Sequence, residues 1–290
     1  MSAYSVALIA LIVGNLAASL SDVSVKMLAG EVSAFQYMFL RQLISLLIVL
    51  PLWLRQKKEQ RALLSTSMTA LRAHLVLIGS GCMLVAITYL PLATANAVFY
   101  AAPILMLPLS MWLLKEKPSS TKILATLFGF CGVLIVLRPQ NFHWAAGFAL
   151  VTAFTLALFN ILAKRIPKEQ TVITTLMWTS LFSLPIAAVL ASINWQPMTW
   201  VQLGWIALSA LLVLSYNGLA VIAYQRAAAN QIALAEYSGL LFVVLFGVIW
   251  FDEIPDMLTW VGIGMIVLPL IPKTQLLKKR SKKKLINASN

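Results

Sequence analysis

Four ionisable side chains lie inside or beside long apolar stretches of the sequence: Asp22, Lys26, Arg41 and Glu236. An acid or base at the centre of a membrane-spanning helix costs about 2.5–3.5 kcal/mol on insertion scales. Such residues therefore usually have a function or pair with one another. Glu236 is the only charged residue among the twenty-two from Asn230 to Phe251, and it lies about 9 Å along a helix that begins at Asn230.

Glu236 has three open roles. A glutamate side chain is too short to reach the membrane surface from that depth, unlike a lysine. The carboxyl group can carry a proton, bind the ammonium or sulfonium group of a substrate, or form a structural pair with Arg226 or another base. We expect Glu236 to be a substrate-binding or coupling residue.

The other three charges cluster in the first two apolar segments. Arg41 can receive a substrate carboxylate, because its planar guanidinium suits a two-point contact, or it can form a fixed pair with Asp22. Asp22 and Lys26 are four residues apart, so they share a helix face and can pair directly. Asp22 lies about 27 Å along its helix from Tyr4, where it either belongs to a rim pair or forms part of an outer gate.

Uncharged residues can complete a small-molecule site, which is usually an apolar cavity with a few convergent polar and aromatic groups. Each of them alone can equally be a helix–helix contact. The candidates are Asn15, Tyr89, Asn96, Tyr100, Asn160, Thr171, Thr175, Trp178, Tyr224 and Tyr237.

Composition identifies the elements that must position these residues. The chain has 290 residues, of which 61% are hydrophobic and 11% charged, whereas a water-soluble domain has about 25% charged residues. About 20 apolar residues form a helix that crosses a membrane. The sequence predicts ten such helices, at 4–25, 32–54, 72–91, 93–114, 121–138, 144–163, 171–193, 199–223, 230–251 and 257–272. The expected fold is an all-α polytopic membrane protein.

The placement of the basic residues predicts the orientation. Nineteen of the 22 Lys and Arg residues fall on one side of the ten-helix arrangement. Because Lys and Arg collect on the cytoplasmic side, we expect a multi-pass protein of a bacterial-type inner membrane with both termini inside. The basic tail at 273–290 is expected to contact anionic lipid headgroups. It lacks the aromatic residues that a nucleic-acid site would need.

Nothing in the sequence indicates an enzyme. There is no phosphate-binding loop, and neither histidine has a triad or ligand context. Cys82 and Cys131 lie in apolar runs without metal-ligand spacing. We therefore expect no catalytic residues, no cofactor and no metal.

The two halves of the chain resemble each other weakly but in order. Residues 87–118 align with 221–255, and each segment ends in a Glu-x-Pro turn, at Glu116 and at Glu253. Five helices per half is an odd number, so the halves must have opposite orientations. We expect two inverted five-helix repeats, at 1–138 and 144–272, an arrangement found in secondary transporters with a midplane site. Ala101 is the repeat counterpart of Glu236, so symmetry does not require that acid.

Four stretches carry a family resemblance: SDVSVKML, FQYMFLRQLISLLIVLPLW, FYAAPILMLPLSMWLLKEKPSSTKILATLFGFCGVLIVL and AEYSGLLFVVLFGVIWFDEIPDMLTWVGIG. With them the sequence resembles the drug/metabolite transporter superfamily, in its ten-helix EamA-type branch, over residues 5–272. The resemblance implies two inverted bundles around a central cavity and secondary transport of small organic metabolites. Similar members include amino-acid exporters and S-adenosylmethionine uptake carriers.

We therefore expect an alternating-access transporter of an amino acid or an amino-acid-derived zwitterion, with S-adenosylmethionine as the sharper hypothesis. Transport is expected to be coupled to protons or to run as exchange. The alternatives are a transporter of other drug-like or nucleoside metabolites and a membrane scaffold that transports nothing.

Overall fold

The computed structural model describes residues 3–28, 30–115, 120–137, 143–163, 165–167, 169–226 and 238–268. Within these ranges every regular element is a helix. The α-helices are α1 (Ala3–Lys26), α2 (Ala34–Leu54), α3 (Thr66–Tyr89), α4 (Leu92–Phe99), α5 (Ala102–Leu114), α6 (Ser120–Leu137), α7 (Ala145–Ala163), α8 (Val172–Ile193), α9 (Trp200–Arg226), α10 (Ser238–Phe251) and α11 (Met257–Val267). A short 3₁₀ helix, Lys58–Arg61, lies between α2 and α3.

The helices match the predicted membrane-spanning segments. Seven stretches in the described part of the chain are long and apolar enough to cross a membrane, and three shorter apolar helices lie at 127–136, 238–251 and 257–267. The prediction of an all-helical, multi-pass membrane protein is confirmed. Part of the ninth predicted segment, residues 230–237, lies outside the described residues.

The fourth predicted segment, 93–114, is broken into α4 and α5 at Tyr100 and Ala101. Pro103 lies just after the break, and it has no N–H to donate to the carbonyl four residues earlier. The Tyr100 N–H still closes the last turn of α4 by donating to the Asn96 carbonyl at 2.8 Å. Residues Leu92–Leu113 still form one apolar stretch long enough to cross a membrane, so the predicted span is present, with an interruption that the prediction did not place.

The third helix also differs from its prediction, because α3 begins at Thr66 rather than at residue 72. Its first turn is polar and depends on a partner distant in sequence. The Gln170 side-chain oxygen accepts hydrogen bonds from the backbone N–H groups of Leu64 at 3.0 Å and Ser65 at 3.3 Å.

Pairwise packing organises the bundle. α1 packs mainly on α9 and α10, α2 on α8, α3 on α7, and α6 on α11. The largest core cluster joins side chains from both halves, including Tyr37, Ile87, Val98, Leu240 and Ile266. Several large apolar side chains are exposed on the outside of the bundle, among them Leu124, Trp200 and Leu241. Exposed apolar side chains of this kind are suited to contact with lipid.

Glycines allow α6 and α11 to approach closely. A Cβ added at Gly132 would lie 2.8 Å from the Gly262 carbonyl oxygen, and one added at Gly262 would lie 2.8 Å from the Gly132 carbonyl oxygen. Small residues at helix contacts are a common means of association in membranes.

Candidate substrate and coupling site

Arg41 lies inside the bundle on α2 and is only 8% exposed. Its guanidinium carbon is 5.9 Å from the centre of the Tyr37 ring, one helical turn earlier. The guanidinium offers five N–H donors, and none of them has a hydrogen-bond acceptor among the described residues. A buried guanidinium beside an aromatic ring is suited to an anionic ligand.

Asp22 on α1 lies within electrostatic range of Arg41, although the two side chains form no direct salt bridge. Its half-buried carboxylate interacts electrostatically with Arg41 and forms a hydrogen bond with the Asn96 side chain. Asn96 is 3% exposed and also donates to the Leu92 carbonyl at 3.3 Å. The structure thus brings two predicted candidates, Asp22 and Asn96, together from α1 and α4, with Arg41 of α2 within electrostatic range.

A chain of hydroxyl groups extends from this cluster to the second half of the protein. The Tyr37 hydroxyl is 3.2 Å from the Ser209 Oγ on α9. Ser209 Oγ is in turn 2.8 Å from the Ser21 Oγ on α1. Tyr37 and Ser209 are fully buried, so the polar atoms in this part of the bundle bind one another. Sequence analysis did not single out Tyr37, Ser21 or Ser209; their only signal was a polar atom within an apolar helix.

A second polar cluster surrounds the break between α4 and α5. The Asn15 amide donates to the Ser238 hydroxyl at 3.2 Å, and the Ser19 hydroxyl donates to the Gly239 carbonyl at 3.0 Å. A Cβ added at Gly239 would overlap the Tyr100 hydroxyl. Tyr100 and Asn15, both predicted candidates, therefore meet at the beginning of α10.

Lys26 forms a salt bridge with Glu253, which lies in the link between α10 and α11. Lys26 also donates to the Leu90 carbonyl at 2.9 Å, and the other Glu253 oxygen accepts from the Leu92 N–H at 2.6 Å. Lys26 is thus engaged with Glu253 rather than with Asp22, contrary to the direct pair that the four-residue spacing allows. Sequence analysis treated Glu253 only as a marker of the repeat.

The two contacts of α1 with α4 lie one helical turn apart. Asp22 and Lys26 are four residues apart on α1, while Asn96 and Leu92 are four residues apart on α4. Asp22 bonds Asn96, and Lys26 meets Leu92 through Glu253. α4 therefore connects the Asp22–Asn96 contact to the end of the bundle that carries Lys26.

The opposite end of the bundle is held by uncharged side chains. Gln56 donates to the Thr171 hydroxyl at 2.9 Å, and Thr171 also caps α8 by accepting from the Thr174 N–H at 3.2 Å. Gln170 donates to the Thr175 hydroxyl at 2.9 Å. Thr171 thus joins the α2–α3 connection to the start of α8, and Thr175 accepts from Gln170, which lies just before α8. The sequence made both threonines candidates for lining a cavity.

The remaining candidates are elsewhere or not described. Asn160 is exposed on α7. Trp178 is half-buried on α8, with its ring 5.5 Å from that of Phe182. Tyr89 is 54% exposed and packs on Trp144. Glu236 and Tyr237 lie outside the described residues, as does the side chain of Tyr224.

The helices are apolar and numerous, and ionisable side chains lie between them. These features place the protein in the class of multi-pass membrane proteins with a polar interior. The sequence model of the EamA-like transporter family matches residues 5–138 and again residues 143–271. The chain belongs to this family. Membership of this family makes it a membrane transport protein.

Named relatives agree with this assignment at low identity. The S-adenosylmethionine uptake transporter of Rickettsia prowazekii (strain Madrid E) is 24% identical over 262 residues, covering 87% of this chain and 86% of the relative. The riboflavin transporter of Vibrio cholerae serotype O1 is 28% identical over 218 residues, covering 73% of each. A solved crystal structure with 20% identity shares the fold, with a TM-score of 0.59 over 95% of this chain and 98% of that one. Such relatives support membrane transport of a small metabolite.

Proposed function

We propose that this protein is a secondary-active transporter of a small organic metabolite that carries a carboxylate and a cationic group, as amino acids and S-adenosylmethionine do. The observation that carries this proposal is the buried Arg41 guanidinium, whose donors have no acceptor among the described residues. A substrate carboxylate would occupy two of these donors side by side.

The cationic part of the substrate would bind nearby acids and aromatic rings. Asp22 lies within electrostatic range of Arg41, and the centre of the Tyr37 ring is 5.9 Å from the guanidinium carbon. Tyr100 lies at the break of the fourth span, and broken helices often flank the substrate site in transporters. Glu236 remains our predicted residue for cation binding or coupling.

The proposed cycle is alternating access between two inverted repeats, residues 1–138 and 144–272. In the predicted orientation, with both termini in the cytoplasm of a bacterial-type inner membrane, the Lys26–Glu253 contact lies on the outer side. The Gln170 and Gln56 contacts lie on the inner side. Opening either end would expose the Asp22–Arg41 region to one compartment at a time.

S-adenosylmethionine is the specific substrate that we propose to test first. It carries a carboxylate together with ammonium and sulfonium groups, which matches an arginine beside an aspartate. The name of the Rickettsia prowazekii relative supports the same choice.

The test is ligand-induced thermal stabilisation of the detergent-purified protein. Saturation at 100 times Kd adds about 2.7 kcal/mol to stability. S-adenosylmethionine and an amino acid panel are compared with decarboxylated analogues, which we expect to stabilise the protein far less. Arg41→Gln should abolish the preference for the carboxylate, whereas the exposed Arg55→Gln should keep it.

Two outcomes would count against the proposal. If carboxylates and their decarboxylated analogues stabilise the protein equally, Arg41 does not bind the substrate carboxylate. If no compound stabilises the folded protein, the alternative of a membrane scaffold gains support.

A further inference from the structure

We propose that Lys26 and Arg165 are the two latches of the transport cycle: Lys26 holds the outer end of the bundle closed, and Arg165 holds the inner end closed. A latch is here a side chain whose contact must break before that end opens. Each cation lies at or just after the end of the first helix of its predicted repeat and binds at the end of the fourth span of the other repeat. The inference rests on the proposed function and adds to it the residues whose release opens each side.

Helix caps relate the positions of the two cations. Ser33 caps the start of α2 and Thr171 caps the start of α8, and each side chain accepts a hydrogen bond from the N–H three residues later. The offset of 138 residues between these caps puts Arg165 one residue beyond the counterpart of Lys26. The two cations therefore occupy nearly equivalent places in the predicted repeats.

The helices that the two cations contact end with the same backbone conformation. Lys115 follows the end of α5 with φ 54°, and Asp252 follows the end of α10 with φ 52°. These are the two non-glycine residues with positive φ in the described part of the chain. A left-handed residue directly after a helix is a common way to end it. Both residues immediately precede the Glu-x-Pro pattern, so α5 and α10 end alike.

Lys26 joins three parts of the bundle at the predicted outer end. Its ammonium forms a salt bridge with Glu253 and donates to the Leu90 carbonyl at the end of α3, at 2.9 Å. It also lies 5.4 Å from the centre of the Phe251 ring at the end of α10. Carbonyl groups at the end of a helix lack intrahelical donors and attract a cation. Lys26 therefore holds the end of α1 against helix ends from both halves of the chain.

Arg165 makes the corresponding contact at the predicted inner end. α7 ends at Ala163, and the Arg165 backbone N–H donates to the Leu162 carbonyl at 3.0 Å. The Arg165 guanidinium donates to the Leu113 carbonyl, in the last turn of α5, at 2.7 Å. Arg165 is exposed, whereas the Lys26 side chain is only 12% exposed. Contacts of exposed charges contribute little, so Arg165 is the weaker latch.

The two latches act on opposite ends of one cycle. Alternating access requires that one end opens while the other stays closed. Both contacts are formed in this structure, so breaking one frees its end and leaves the other held. Loss of the Lys26 contact should therefore favour the outward-open state, and loss of the Arg165 contact the inward-open state. A merely structural role for either side chain would lower stability without favouring a side.

The experiment measures how fast a buried reporter cysteine reacts with a membrane-impermeant maleimide added from one side. Ser19→Cys is the reporter, because Ser19 is 2% exposed and contacts the α10 backbone; Cys82 and Cys131 are replaced by Ala. Intact bacterial cells present the outer side of the protein, and inside-out membrane vesicles present the inner side. Lys26→Met should speed labelling from outside about tenfold and slow it from inside. Arg165→Met should do the reverse, by about threefold because its contact is exposed.

Matched controls remove a charge at each end without touching a latch. Arg55→Gln removes an exposed cation at the inner end. Glu31→Gln removes an outer acid that binds only the exposed Gln202 side chain among the described residues. Both controls should label at the rate of the reporter protein without further changes.

Two substitutes keep the test usable if a variant does not fold. Glu253→Gln removes the salt bridge of Lys26 but keeps an oxygen that can accept from the Leu92 N–H, and it should also favour labelling from outside. Ser45→Cys, on α2 and 7% exposed, replaces Ser19→Cys as the reporter.

Several results would overturn the inference. Labelling that changes in the same direction in Lys26→Met and Arg165→Met would do so, as would variants that label like the controls. A response with the two sides exchanged would overturn the assignment of Lys26 to the outer end. Reaction from both sides with no response to either variant leaves the proposed function intact. Reaction from neither side in any form would contradict alternating access, and with it the proposed function.

Discussion

The Lys26–Glu253 contact gives a quantitative prediction, because each partner also bonds a backbone group. Glu253 accepts from the Leu92 N–H at 2.6 Å, and Lys26 donates to the Leu90 carbonyl at 2.9 Å. The side chains are 12% and 21% exposed, so the pair is mostly but not wholly withdrawn from water. Three changes separate its parts: Glu253→Gln, Glu253→Ala, and the exchange of both charges in Lys26→Glu/Glu253→Lys.

The magnitude follows from which bonds each change removes. Breaking a fully buried ion pair costs about 3–5 kcal/mol, and a hydrogen bond to a charged group contributes about 1.5–3 kcal/mol. Residual exposure lowers both contributions. We expect Glu253→Ala to destabilise the protein by about 2–4 kcal/mol and Glu253→Gln by about 1–2 kcal/mol, since an amide oxygen can still accept from Leu92.

The charge exchange tests the geometry most sharply. A lysine at position 253 would turn an ammonium towards the Leu92 N–H, and a glutamate at position 26 would turn a carboxylate towards the Leu90 carbonyl. Both backbone groups would then face the wrong partner. We expect the exchanged protein to be no more stable than Glu253→Ala.

The assay is reversible unfolding in mixed detergent micelles, followed by circular dichroism, with Glu59→Gln in the exposed 3₁₀ helix as the control. A charge-exchanged protein as stable as the unmodified one would refute this reasoning. The contact would then be a simple ion pair whose backbone bonds contribute nothing.

Two further predictions concern packing and the opposite end of the bundle. Gly239→Ala should cost about 1–3 kcal/mol of stability, the usual effect of overpacking, because the added Cβ overlaps the Tyr100 hydroxyl. Combining it with Tyr100→Phe should restore part of this loss. The control Gly264→Ala should have little effect in the same unfolding assay, because its Cβ meets no described atom within 4 Å. Gln170→Ala should speed hydrogen exchange of the two backbone amides at the start of α3, because each loses its acceptor; unchanged exchange there would contradict the assigned contact.

The sequence predicted the fold well because membrane thickness constrains it. A span needs about 20 apolar residues whatever its neighbours are, so hydropathy alone located the helices. Where the structure departs from the predicted segments, the causes are local or tertiary. The break at Tyr100 depends on how the chain accommodates Pro103, and the early start of α3 depends on Gln170, which is about 100 residues away in sequence.

The site was predicted as a set of residues but not as a set of contacts. Charge inside apolar segments was sufficient to select Asp22 and Arg41, and polarity selected Asn96. Helix periodicity puts Lys26 on the same face as Asp22, but it cannot predict that Glu253, in the α10–α11 turn, approaches Lys26. The engagement of Lys26 by Glu253 depends on how the α10–α11 turn packs, which no local pattern contains.

The central claim is that the protein exchanges a carboxylate-bearing metabolite through a site that contains Arg41. Counterflow tests it most directly, using proteoliposomes preloaded with unlabelled S-adenosylmethionine or single amino acids and no ion gradient. The account predicts saturable accumulation of labelled compound for at least one carboxylate, loss of this accumulation in Arg41→Gln, and its retention in Arg55→Gln. Undiminished exchange in Arg41→Gln, or no exchange by folded and inserted protein across the whole panel, would contradict it.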